Sequence, residues 1–169
     1  MADIRMTRYP AEVLGQKARA VGEVTDEIRE LGAAMIDMMI EQKGVGLAGP
    51  QVGVDLRIFV FSHDATRENA KVYINPEIEI SGGLEACHEG CLSLPGIEAK
   101  IKRYKKCTIT ATGLDGNRFI AEAEGIEIRG FQHEIDHLDG MLIKDRMGQA
   151  QRIGARKILR QLQEDHENE

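Results

Sequence analysis

The residues His133-Glu134-Ile135-Asp136-His137 carry the most reactive pattern in the chain. On a helix, positions i and i+4 share a face, so His133 and His137 can offer two imidazoles to one metal ion. Glu134 then lies beside the ion, free to handle the proton of a water rather than to bind the metal. Two histidines are an incomplete set. A hydrolytic metal centre uses three protein ligands and keeps one position open.

The third ligand has several candidates. Downstream, Asp139, Asp145 and Glu164 are available, none in the second-helix setting that supplies a glutamate to thermolysin-like zinc peptidases. Upstream, Glu89-Gly90-Cys91-Leu92-Ser93 is the better source. A glycine beside a cysteine lets the backbone approach a metal, and a thiolate binds zinc or ferrous iron strongly. Cys107 lies in an alternating strand pattern and reads as an ordinary small residue. Cys87 stands four residues before Cys91, so a closed zinc site using both is conceivable. Such a site would leave Glu134 without a water to activate.

A third segment, Gly44-Val45-Gly46-Leu47-Ala48-Gly49-Pro50-Gln51, is a glycine-rich turn after a helix. Alone it reads as a helix stop. It is not a phosphate loop, because no Lys-Ser or Lys-Thr follows the glycines.

The elements that must position these groups are legible in outline. A helix is expected over Asp26–Gln42, capped by Thr25, with Asp26 and Glu27 at its positive end and a left-handed Gly44 at its close. Ile28, Leu31, Met35, Met38 and Met39 follow helical spacing and should face the core, with the methionines as filler. Strands are expected at Arg57–Phe61, at Val72–Ile74 up to an Asn75-Pro76 turn, and at Glu77–Ser81 closed by Gly82-Gly83. Cys107–Thr112 and Arg118–Ala123 alternate about Asp115-Gly116 and read as a hairpin. The metal motif falls on a helix over Glu127–Leu138 stopped by Gly140, and a last helix covers about Gln149–Gln163. Strands grouped around a central helix indicate α+β, with small mixed or antiparallel sheets, in one domain over residues 1–169.

Composition narrows the function classes. The chain of 169 residues has 42% hydrophobic and 30% charged residues, as expected of one compact soluble unit. Its net charge of −6 gives no support to DNA binding. No apolar run reaches the length of a membrane span, and the N-terminus has no signal pattern. Three cysteines, an odd number, argue against a disulfide framework and for a reducing, cytoplasmic setting.

Together the glycine-rich turn ending in Gln51, the Glu-Gly-Cys-Leu-Ser segment and the Gln-His-Glu-x-x-Asp-His-Leu segment resemble the three motifs of the peptide deformylase family, in order and at similar spacing. The resemblance extends to the Asn75-Pro76 turn and the last helix. It implies that Cys91, His133 and His137 hold one divalent metal, with water in the fourth position. Ferrous iron is the expected ion, and zinc, nickel or cobalt can substitute. It also implies hydrolysis of the N-formyl group from the initiator methionine of new polypeptides, releasing formate. Glu134 would then serve as general base and acid, with the Gln51 amide and the Leu92 N–H holding the oxyanion. Val45, Gly46 and Glu89 are expected on the substrate side, Val45 in an apolar methionine pocket and Gly46 through its backbone. Gln132 and Asp136 flank the ligands, and Asp136 is placed to accept an imidazole N–H or to serve as a surface or capping group.

Two positions depart from the family pattern. Gly49 stands where relatives carry alanine, which suggests a looser backbone before Gln51. Glu98 stands where some bacterial relatives carry arginine, which bears on substrate charge preference. The last helix carries Arg152, Arg156 and Arg160 at i, i+4 and i+8, with Lys157 alongside. That stripe is either a solvated face or, as the resemblance suggests, a ribosome-docking surface. Two rivals to a deformylase are a zinc peptidase and a catalytically silent, metal-stabilised protein on the ribosome.

Overall fold

The computed structural model describes residues 2–169. The first long helix, α1 (Asp26–Glu41), begins where the Thr25 side chain accepts the Ile28 N–H at 3.3 Å. It ends differently from expectation. Lys43, not Gly44, takes the left-handed backbone, at φ 58°, and Gly44 then donates to the Met39 carbonyl. Gly44 is needed for proximity instead, since a Cβ there would stand 3.3 Å from Leu92.

Five antiparallel strands follow in the order β1 (Gly46–Ala48), β2 (Ile58–Phe61), β3 (Lys71–Gly90), β4 (Glu98–Thr112) and β5 (Arg118–Glu122), each paired with the next. β2 is buried along its whole length, and its alternation serves two cores. Ile58 and Val60 join Met35, Met39, Leu47 and Ile74 beneath α1. Phe59 and Phe61 point the other way, into an aromatic cluster with Tyr73 and Phe131. Phe131 belongs to α2 (Ile126–Leu138), so the sheet lies between α1 and the helix that bears the His-Glu-x-x-His motif.

The segments expected as separate short strands form one long strand, β3. Asn75-Pro76 is not a turn. It is a bulge, with the register slipping between Ile74 and Glu77. Asn75 adopts φ 48°, and its amide binds both the N–H and the carbonyl of Val21 at 2.8 Å. Gly82-Gly83 likewise makes a second bulge, both residues at positive φ, rather than closing the strand. β3 and β4 therefore run on together as a two-stranded ribbon to Gly90 and Glu98, and Cys91 sits in the loop at its tip. The Asp115-Gly116 hairpin forms as expected between β4 and β5.

After α2, Gly140 turns the chain at φ 78°, against the backbone of Gly15 and Gln16. A short helix α3 (Ile143–Arg146) leads to α4 (Gln149–Glu167), four residues longer than expected. α4 is moored to the ribbon by Gln151, which bonds the N–H and carbonyl of Lys100 at 2.8 and 3.0 Å. Leu94, Ile97 and Ile101 pack there with Leu142, Ile143 and Ala155 in a third cluster that fixes the ribbon tip. Among the described residues, no helix is long and apolar enough to cross a membrane.

Candidate metal centre and active site

Three elements deliver the reactive groups to one cleft. α2 carries His133, Glu134 and His137, the ribbon tip supplies Cys91 and Leu92, and the segment after α1 brings Gly46 and Gln51. The ligand atoms of Cys91, His133 and His137 all lie within 4.8 Å of one another. Nε2 of His137 is 3.1 Å from Nε2 of His133 and 3.4 Å from the Cys91 sulfur. A tetrahedral ion bound at about 2.0–2.3 Å sets its ligands roughly 3.3–3.7 Å apart, so the spacing fits.

Burial works to lower His133, but hydrogen bonds to Cys91 and Glu89 overcome it and hold it well above the usual histidine range. Nδ1 of His133 lies 2.8 Å from Glu89 Oε1. Burial works to raise the Glu89 carboxyl, but Arg103 and His133 overcome it and hold it at about 2. An ionised Glu89 accepts from Nδ1–H and so turns Nε2 toward the other two ligand atoms. Burial, reinforced by the charges of His133 and Arg103, holds His137 well below the usual histidine range. His137 is thus a neutral donor, and its buried Nδ1 has no hydrogen-bond partner. Two imidazole nitrogens and a sulfur converging at one point are a donor set that suits a cation. Cys87, half-buried on β3, stands outside this group, so the closed two-cysteine arrangement does not form. Cys107 is a core residue, and burial, aided by the Glu127 charge, pushes its thiol up to about 11.

Glu134 is 3% exposed, and its Oε2 has no protein partner. Burial pushes its carboxyl up to about 7. Its place against β1 depends on Gly46, where a Cβ would stand 2.5 Å from Glu134 Oε1 and 2.9 Å from the Phe61 ring. Gln51 is 2% exposed and fixed at both ends of its amide. Oε1 accepts from the Ala48 N–H at 3.0 Å, which turns Nε2 toward Ser93 Oγ at 3.4 Å and the Cys91 sulfur at 3.6 Å. Ser93 Oγ donates in turn to the Thr7 carbonyl at 2.8 Å and can accept from Gln51.

Gly49 does not loosen this turn. A Cβ there would lie 2.6 Å from the Leu56 carbonyl oxygen and 3.0 Å from that of Val54, so glycine permits close packing of the next loop. The cleft itself, about 330 Å³, is lined by Val45, Gly46, Gln51, Leu92, His133 and Glu134 among others. Cys91 and Glu89 also border it, while His137 does not line it and stands 3.1 Å from His133.

Two expectations need correction. Glu89 borders the cleft, but both its oxygens are committed, to Arg103 at 2.7 and 2.8 Å and to His133. It orients a ligand rather than meeting substrate. Asp136 does not accept an imidazole N–H, because it points away from the ligands. It takes Arg103 at 2.7 Å and Arg146 at 2.6 and 2.8 Å. Arg103 is the residue that sequence reasoning missed. It is 3% exposed and joins Glu89 to Asp136. The signal was its phase: Ala99, Ile101 and Arg103 alternate with Lys100 and Lys102, so Arg103 falls on the inward face. Gln132 bonds the backbone of Tyr104 on both sides at 2.9 Å, tying α2 to β4.

Comparison with known proteins agrees with this geometry. The polypeptide deformylase family profile matches residues 4–153. The peptide deformylase of Desulforudis audaxviator is 41% identical over 147 residues, covering 86% of this chain and 94% of the relative. Peptide deformylase 1 of Clostridium perfringens is 47% identical over 135 residues, 79% of this chain and 90% of the relative. The crystalline peptide deformylase of Plasmodium falciparum superposes with a TM-score of 0.93 at 35% identity, covering 97% of this chain and 98% of that one.

Proposed function

Because the chain belongs to the polypeptide deformylase family, we propose that its cleft removes the formyl group from N-formylmethionyl peptides as they are made, releasing formate. The observation that carries this is the convergence of Cys91, His133 and His137 with a buried, partly unpartnered Glu134 and a pinned Gln51 amide. Cys91, His133 and His137 would hold one divalent ion, ferrous iron in cells, with zinc, nickel or cobalt able to replace it. When bound, such an ion supplies a Lewis acid that polarises the formyl oxygen and makes water a better nucleophile near neutral pH.

The chain's own residues account for the rest. Glu134 lines the cleft and its Oε2 has no protein donor, so the carboxylate can take a proton from the attacking water. As the water oxygen bonds to the formyl carbon, negative charge grows on the formyl oxygen. Gln51 Nε2, aimed by the Ala48 N–H, and the Leu92 N–H donate to that oxygen. The C–N bond then breaks, and the proton held at Glu134 passes to the leaving α-amine. Val45 and its apolar neighbours would take the methionine side chain, and Gly46 would present its backbone to the extended peptide.

We further place the protein in the cytoplasm as a single catalytic domain, with α4 as its contact to the ribosome. Arg152, Arg156 and Arg160 are all exposed, while Ala155 and Leu159 between them pack inward. The experiment is formate release from formyl-Met-Ala-Ser beside its acetyl analogue, before and after chelation. Release from the formyl peptide alone, abolished by chelator and restored by iron or nickel, is the expected result. Cleavage of internal amide bonds would favour a zinc peptidase instead.

A further inference from the structure

Two cations border the cleft with no carboxylate to neutralise them. Arg129 lies on α2 four residues before His133, so it shares that helical face about 6 Å along the axis. Beside it Gly130 has no side chain, and a Cβ there would stand 2.4 Å from the Phe61 ring. The helix therefore lies flush on β2 at this point, leaving Arg129 as the polar group of that wall. From the other wall comes Lys43, exposed on the turn between α1 and β1. Neither side chain has a hydrogen bond or ion pair among the described residues.

The acids nearby are committed elsewhere. Glu89 is held by Arg103 and His133, and Glu134 is buried at the base of the cleft. Glu98 stands at the cleft edge, paired with His88 at 3.0 Å, and makes no ion pair with Arg129 or Lys43. Glu127, on the next turn of α2, accepts the Glu124 N–H. Among the described residues, Lys43 and Arg129 thus stand as unpaired cations at the cleft of a chain whose net charge is −6. Lys43 and Arg129 line the same cleft as Gly46 and His133, so a peptide held there by its formyl end runs past both cations.

We propose that Arg129 and Lys43 form a carboxylate-binding rim that favours formylmethionyl peptides with an acidic side chain just past the methionine. This rests on the deformylase reading and deepens it. One solvent-exposed ion pair sets the expected discrimination at about 1.4- to fivefold in kcat/KM.

The test uses metal-loaded enzyme and the amide-capped peptides formyl-Met-Glu-Ser, formyl-Met-Ala-Ser and formyl-Met-Lys-Ser, with formyl-Met-Ala-Ser also as the free acid. The rim predicts the order Glu, Ala, Lys, carried by KM rather than kcat and flattened by salt. Arg129→Glu should reverse the order, Arg129→Lys should keep it, and Lys43→Glu on its exposed turn should weaken it. A gain confined to the free acid would overturn the side-chain preference and leave the rim reading peptide ends. Equal turnover of all the capped peptides would overturn the rim while the deformylase reading stood. No release from any formyl peptide would overturn that reading as well.

Discussion

Replacing Gly46 with alanine tests how tightly the catalytic carboxylate is held. The new Cβ would stand 2.5 Å from Glu134 Oε1, 3.0 Å from its carboxyl carbon and 2.9 Å from the Phe61 ring. Ordinary carbon–oxygen contacts are roughly 3.3–3.6 Å, so Glu134 must retreat by about 1 Å. Phe61 cannot absorb the shift, because its ring is already wedged edge-on against Phe131 at 5.2 Å and against Gly130. A misplacement of that size near the reacting atoms costs about 100-fold in rate. The added methyl should also destabilise the fold by about 1–3 kcal/mol through overpacking. The assay is kcat for formate release, read beside the thermal midpoint and metal content of the same preparation. A large loss of kcat in a folded, metal-loaded variant is expected. A kcat within threefold of the parent would refute the claim that Gly46 sets the position of Glu134.

Three further perturbations follow from the same contacts. Gly49→Ala should lower stability by about 1–3 kcal/mol, because its Cβ would lie 2.6 Å from the Leu56 carbonyl; an unchanged denaturant midpoint would show that the loop yields freely. Arg103→Met leaves the buried Glu89 with His133 alone and Asp136 with Arg146 alone, and should cost about 3 kcal/mol, the low end for a broken buried pair. In a chain of 169 residues that lowers the thermal midpoint by on the order of 10 °C, and a shift under 2 °C would count against the network. Reversing Arg152, Arg156 and Arg160 to glutamate should weaken ribosome co-sedimentation most at low salt, whereas unchanged sedimentation would remove α4 as the contact.

The site was more legible than the fold that carries it. His133, Glu134 and His137 announce themselves because helical spacing alone puts two imidazoles on one face. Cys91 and Gln51 stood out through their unusual neighbours. The ribbon that presents Cys91 was hidden, because Glu85, Ala86, Cys87 and His88 have neither strong strand preference nor a buried face to mark them. Asn75-Pro76 and Gly82-Gly83 carry genuine turn chemistry, but pairing with β4 continues past both, so each becomes a bulge. Arg103 was masked by the lysines around it. Its burial follows from strand phase, and its charge is tolerable only because Glu89 and Asp136, distant in sequence, converge on it. Gly49 invited a flexibility argument, whereas its actual constraint is the carbonyl of Leu56, a neighbour that sequence alone does not identify.

The most direct test of the central claim is a single-turnover comparison of the parent with Glu134→Gln, each carrying one measured equivalent of metal. Glutamine keeps the size of the side chain and removes its ability to take a proton. The account predicts unchanged metal content and peptide binding with formate release lowered by about 100-fold or more. Formate release at the parental rate from a fully metal-loaded Glu134→Gln protein would contradict it.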